Sequence, residues 1–219
     1  MKKINTVLIS LLLLIFTNFG ITYAQENLNV SSEQAKQNLI DGNKRYVEEN
    51  TIHPKQTAQR RFEISKKQRP FAAILSCSDS RVPPEIIFDQ GLGDLFVVRL
   101  AGNIVDDAVL GSLEYATEHL GIKYIMVLGH ESCGAVSATI KEDKITGHIH
   151  SFIKAIKPAF KKAKKLPGDI LENTVRINIF MVVQQLKSST PILKKLVKKG
   201  ELTIEGAYYA LDNGEVTFP

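Results

Sequence analysis

After residue 24 this sequence has no apolar run long enough to cross a bilayer, which takes roughly 20 apolar residues, so no transmembrane helix is expected in the body of the chain. It has no internal repeat and no low-complexity tract, which excludes a repeat array and a compositionally disordered chain. Charge of one sign is not dominant. Against 28 Lys and Arg stand 23 Asp and Glu, a formal net charge of +5, too mild a balance to argue for a nucleic-acid partner. The lysines between 154 and 165, with Lys194, Lys195, Lys198 and Lys199, fall at helical spacing and read as solvated faces. Tryptophan is absent, and cysteine nearly so: Cys77 and Cys133 are all the thiol there is.

The one long apolar stretch is N-terminal. Lys2 and Lys3 precede the run Val7 to Phe16, interrupted only by Ser10, and Thr22-Tyr23-Ala24 supplies small residues where a signal peptidase reads. Residues 1–24 are therefore expected to be a secretory signal peptide cut after Ala24, because the run is too short for a comfortable anchor. The mature chain, 25–219, is expected to be a single domain with a net charge of +3, exported across the inner membrane to the periplasm and not held in a membrane.

Periodicity predicts a helix from Ser31 or Ser32 to about Glu49, with either serine as N-cap, then loop and a short helix over 50–69. Apolar runs at Phe71 to Leu75, Leu95 to Leu100 and Tyr124 to Leu128 predict buried strands. A helix is expected from Asp106 to His119 and another from about Gly134 to Lys141. The second half reads as helices over 150–165, 169–188 and 191–199. Leu202 to Leu211 and Glu215 to Phe218, joined at Asn213-Gly214, predict a terminal hairpin. Strand, helix, strand is the rhythm of an α/β fold with a central, mostly parallel sheet flanked by helices. Ligand sites in such sheets lie at the carboxyl ends of strands.

Both cysteines sit at such ends, in Cys77-Ser78-Asp79-Ser80-Arg81 and in Gly129-His130-Glu131-Ser132-Cys133-Gly134. In an oxidising compartment, two cysteines suggest a disulfide. Two thiolates and one imidazole also form a three-ligand set suited to catalytic zinc with a fourth position open to water, and zinc makes hydroxide near neutral pH. Asp79, Arg81 and His130 add nothing to a plain disulfide. If the backbone stays extended past Cys77, then Cys77, Asp79 and Arg81 point to one side, and Arg81 can fork onto the Asp79 carboxylate. That segment alone suits equally a surface ion pair beside a buried cysteine. Two thiolates cancel the zinc charge, which makes a neighbouring carboxylate more valuable as an acceptor for water. The same Asp79 could instead bind zinc directly, giving a site that alternates between four protein ligands and three plus water. His148 and His150 are expected in an exposed loop, His53 and His119 in structural roles with His119 at a helix C-terminus, and Asp106 and Asp107 at a helix start.

These segments, with Phe96-Val97-Val98-Arg99, Ala101-Gly102-Asn103 and Gly111-Ser112-Leu113-Glu114-Tyr115, resemble a β-class carbonic anhydrase, in order from about residue 31 to the C-terminus. The resemblance implies one zinc per chain on Cys77, His130 and Cys133, an Asp79–Arg81 catalytic dyad, and Asp79 as fourth ligand in a closed state. It implies that Gln68 helps hold substrate and that Phe96, Ala101 and Tyr115 line a carbon dioxide pocket, partly across a subunit interface. The implied reaction is reversible hydration of carbon dioxide to bicarbonate and a proton, by zinc-bound hydroxide. The implied assembly is a homodimer or tetramer whose N-terminal helices pack on the partner subunit. The chain departs from the pattern at Leu100, where many relatives have Asn, and at Ile74, where regulated members have a tryptophan in a bicarbonate pocket. A different zinc lyase or hydrolase acting on a related small linear molecule is the first rival. A zinc-stabilised or disulfide-stapled binding protein is the second.

Overall fold

A computed structural model describes residues 30–141 and 146–218; the signal peptide expected over 1–24 lies outside the described residues. The first helix, α1 (Ser32–Val47), starts where the Ser31 side chain accepts the Gln34 N–H at 3.1 Å, with Glu33 in its first turn and Lys44 and Arg45 in its last. These charges complement the helix dipole. Its buried face is Ala35, Leu39, Gly42 and Asn43, the 4-3-1 spacing of one helical stripe. Gly42 is required there: a Cβ would lie 1.8 Å from the Phe88 carbonyl oxygen. The Asn43 amide donates to the Ile87 and Gly214 carbonyls and accepts from the Val216 N–H, tying the helix to its own chain at both ends of the sequence.

A short helix, α2 (Ala58–Ile64), capped by Thr57, leads to β1 (Ala72–Ser76). Then follow α3 (Pro84–Ile87), β2 (Leu95–Arg99), a 3-10 turn (Ala101–Asn103), α4 (Asp107–Glu118) and β3 (Tyr124–His130). Helices α5 (Gly134–Lys141), α6 (His150–Ala163), α7 (Ile170–Ser188) and α8 (Leu193–Lys198) precede β4 (Thr203–Tyr209) and β5 (Val216–Thr217). The sheet order is β2-β1-β3-β4-β5, with β5 alone antiparallel. β1 and β3 are buried along their whole length, as strands covered on both faces by helices must be. That is why Ala72 to Leu75 and Tyr124 to Leu128 read as unbroken apolar runs. β2, at the sheet edge, is half-buried throughout.

The expected helices and strands are present, with ends shifted by at most two residues. His148 and His150 are exposed as expected, but His150 opens α6 and His148 sits in a 3-10 turn (Gly147–Ile149), not in an irregular loop. Asp106 caps α4 by accepting the Val109 N–H at 2.8 Å, and His119 closes that helix. The lysines of α6 are exposed. Among the described residues no helix is long and apolar enough to cross a membrane.

The segment before β1 is locked by a buried carboxylate. Asp89 accepts from the Arg45 guanidinium at 2.6 Å and from the Ile52 and His53 N–H groups at 3.1 and 3.0 Å. Burial would raise its pKa, but the guanidinium and the two N–H bonds outweigh it and the carboxyl is held below its usual value. Losing Arg45 would leave the Asp89 charge with only its two N–H donors and no countercharge.

Candidate metal centre

The order 2-1-3-4 runs outward from β1 to β2 and then crosses back to β3. The crevice at the carboxyl ends of β1 and β3 is therefore the switch point of the sheet, where open α/β sheets bind ligands. Ser76 pairs with Leu128 across these strands, so Cys77 and the Gly129-His130 pair leave the sheet side by side. Cys133 follows a left-handed residue, Ser132 (φ 52°), and immediately precedes α5.

The ligand atoms of Cys77, His130 and Cys133 all lie within 4.8 Å of one another, and all three residues are buried. The two Sγ atoms are 4.0 Å apart. This is about twice a disulfide bond of roughly 2.05 Å, and both thiols are free. It matches two sulfurs bound to one tetrahedral zinc at about 2.3 Å each, which lie about 3.8 Å apart. His130 gives the second test. Its Nδ1 is 2.8 Å from the Glu131 carbonyl oxygen, which can only accept, so Nδ1 carries the hydrogen and Nε2 presents a lone pair. That Nε2 is fully buried and without a hydrogen-bond partner among the described residues. A buried nitrogen lone pair facing two thiols is costly unless something fills the space between them. The donor set fits a zinc-like cation.

The thiols are coupled. The contact between the two sulfurs, in which either can donate, together with the Gly102 N–H, lowers the Cys77 pKa against the effect of burial. Cys133 is correspondingly pushed up, first by Cys77 and then by burial, while the Val136 and Ala135 N–H groups at the start of α5 pull the other way. A divalent ion held between the two sulfurs would let both ionise.

Asp79 stands beside the cluster, its Oδ2 3.8 Å from His130 Nε2. It is held by Arg81 through Nε–Oδ1 at 2.9 Å and Nη2–Oδ2 at 2.8 Å, and Oδ1 also accepts the Arg81 N–H at 3.0 Å. These bonds, the side-chain fork first, keep the carboxyl well below the usual carboxylate range. The expected extended backbone is corrected here. The chain turns at Asp79, with the Val82 N–H bonding the Asp79 carbonyl at 3.0 Å. The fork forms because the carboxylate caps the turn, not because alternate residues share a face. Asp79 lies outside the three-residue ligand cluster.

Sequence reasoning missed what holds this turn. The Arg99 guanidinium donates to the Cys77 carbonyl at 2.9 Å and to the Asp79 carbonyl at 2.5 Å, fixing both residues from β2. The Gly102 N–H points at Cys77 Sγ at 3.2 Å. Among the expected pocket residues, Phe96 and Tyr115 come together with ring centroids 6.4 Å apart, and Tyr115 stacks on His119 while remaining 46% exposed. Ala101 is half-buried at the start of the 3-10 turn. Gln68 is exposed between α2 and β1, and among the described residues it forms no hydrogen bond to the cluster.

Comparison with known proteins finds relatives over most of this chain. The carbonic anhydrase family model matches residues 72–216. A carbonic anhydrase of Mycolicibacterium smegmatis is 39% identical over 182 residues, covering 81% of this chain and 88% of the relative. The solved structure of the Coccomyxa β-carbonic anhydrase in complex with acetazolamide is similar with a TM-score of 0.68 at 29% identity, covering 82% of this chain and 84% of that one. One of two tetrameric β-carbonic anhydrases from Sordaria macrospora is similar with a TM-score of 0.65 at 25% identity, over 71% of this chain and 83% of that one. The chain belongs to the carbonic anhydrase family, in its β class, and is an enzyme of that family.

Proposed function

We propose that this enzyme catalyses the reversible hydration of carbon dioxide to bicarbonate and a proton, with one zinc ion per chain held by Cys77, His130 and Cys133. The observation that carries the reading is the buried, unpartnered Nε2 of His130 facing two thiols 4.0 Å apart. Bound there, zinc would supply the Lewis acidity that brings the pKa of water toward neutrality. The residues do the rest. His130 presents Nε2 because Glu131 holds its Nδ1–H. Arg81 keeps Asp79 ionised and aimed at the space beside Nε2, where the carboxylate accepts a hydrogen bond from water and fixes its orientation. A carboxylate held this far below its usual range is a poor store for a proton, so Asp79 positions rather than carries it.

Engaged by Arg81, Asp79 stands apart from Cys77, His130 and Cys133, which would hold the ion and leave it open to water. To join them as a ligand the carboxylate would have to loosen its fork with Arg81. Gln68 and the apolar set Phe96, Ala101 and Tyr115 hold carbon dioxide. The exposure of Tyr115 beside an uncovered edge strand suits a pocket completed by a partner subunit in a dimer or tetramer, with the N-terminal helices on that partner. The enzyme is read as a periplasmic protein, mature from residue 25.

Metal removal tests the reading. Dialysis against a strong chelator is expected to abolish carbon dioxide hydration by the full mature chain in a stopped-flow pH-indicator assay, and one equivalent of zinc is expected to restore it. Undiminished hydration in metal-free protein would overturn the proposal.

A further inference from the structure

Gly102 joins the metal centre to a helix that sequence gives no reason to connect with it. Its N–H is 3.2 Å from Cys77 Sγ, and its carbonyl accepts from Asn178 Nδ2 at 2.9 Å across 76 residues of chain. Asn178 is 3% exposed on α7. Gly102 takes a left-handed conformation (φ 71°), and a Cβ there would sit 2.6 Å from Ile156 Cδ1, so the turn can be set only by its backbone partners. The neighbour of Asn178, Ile179, fills hollows left by two glycines of the sheet: a Cβ on Gly129 would lie 2.4 Å from Ile179 Cδ1, and one on Gly206 would lie 2.5 Å from Ile179 Cγ2. The seat of α7 on β3 and β4 is thereby fixed one residue from the amide that holds Gly102.

We propose that Asn178 is a positioning residue of the metal centre: by holding the Gly102 carbonyl it aims the Gly102 N–H at the Cys77 sulfur. A hydrogen bond to a thiolate withdraws electron density from it, so the sulfur gives less charge to a bound cation. In a centre whose two thiolates already neutralise a divalent ion, that withdrawal keeps the ion a useful Lewis acid. Partners one bond beyond the ligands typically matter about 10–100-fold in metal affinity or activity. A plain buried asparagine that only stabilised the fold would leave the electronics of the sulfur unchanged.

The inference rests on the metal reading above, and the test separates the two. Cobalt(II) replaces zinc in the wild-type mature chain and in Asn178→Leu and Asn178→Asp, both near the size of asparagine and both lacking the amide donor. Asn43→Leu, a buried asparagine that ties α1 to Ile87 and Gly214, is the control for general destabilisation. The expected result is a shifted sulfur-to-cobalt charge-transfer band and about tenfold weaker cobalt binding in both Asn178 variants. Asn43→Leu is expected to lower the melting temperature with an unchanged band. Should Asn178→Leu fail to fold, Asn178→Asp carries the test alone. An unmoved band and unchanged affinity in a folded Asn178 variant would overturn the role of Asn178. Wild-type protein that takes up no cobalt would overturn the metal reading itself.

Discussion

Asp79→Asn is expected to lower carbon dioxide hydration by about 100-fold, the order lost when a reacting group is no longer held in position, while the protein keeps its metal and its fold. Asparagine has the same shape but carries no charge. Its amide also turns a donor toward Arg81, which can only donate. The fork of Nε and Nη2 onto the two carboxylate oxygens is then lost, and with it the acceptor beside His130 Nε2. Stability changes little, because the Arg81 side chain is 54% exposed and solvent screens exposed ion pairs. Stopped-flow rates, thermal melts and zinc content on one preparation check all three parts. A variant as active as wild type would remove Asp79 from the mechanism. One that is inactive and metal-free would mean the residue serves binding instead.

The pH dependence follows with its sign. The Asp79 carboxyl is depressed in the folded protein by the Arg81 fork. Its stabilising contribution is thus complete above the unfolded carboxyl value of about 3.9 and is lost only as pH falls through the lower folded value. Between pH 6.5 and 9 it does not titrate, so a rate midpoint found there belongs to another group of the site.

The second large effect is at Cys133. Serine in its place keeps the size and removes a thiolate from a three-ligand set. Metal content is expected to fall from one per chain to a trace, with hydration at the uncatalysed rate. The loss exceeds the roughly 10–100-fold that follows when only a partner of a ligand is removed, because the ligand itself is gone. The fold is expected to persist at lower melting temperature, since β1 and β3 are buried along their length without help from the cluster. Cys133→Ser protein that retains stoichiometric zinc would place the metal elsewhere.

What the sequence made legible were the features carried by local pattern. Ala72 to Ser76 and Tyr124 to His130 read as buried strands because parallel strands covered on both faces are continuously apolar. The ligand residues were legible because they follow those strands directly, and Asn213-Gly214 marked the final turn because Gly214 takes a left-handed conformation (φ 77°) there. What stayed hidden depends on separation along the chain. Asn178 meets Gly102 and Asn43 meets Val216 only after the sheet and α7 are assembled. The clamp of Arg99 on the Cys77 and Asp79 carbonyls arises from the register that sets Ser76 opposite Arg99. The Asp79 turn was misread for a local reason: spacing i, i+2, i+4 serves an extended chain and a side-chain-capped turn alike, and the Val82 N–H decides between them.

The measurement that bears most directly on the account is zinc content, with reactive thiols counted in the same purified sample of residues 25–219. One zinc per chain, with both thiols protected until a chelator is added and two titrating afterwards, is the predicted result. A metal-free protein with no titratable thiol would mean that Cys77 and Cys133 pair with each other, and would contradict the centre on which the mechanism depends.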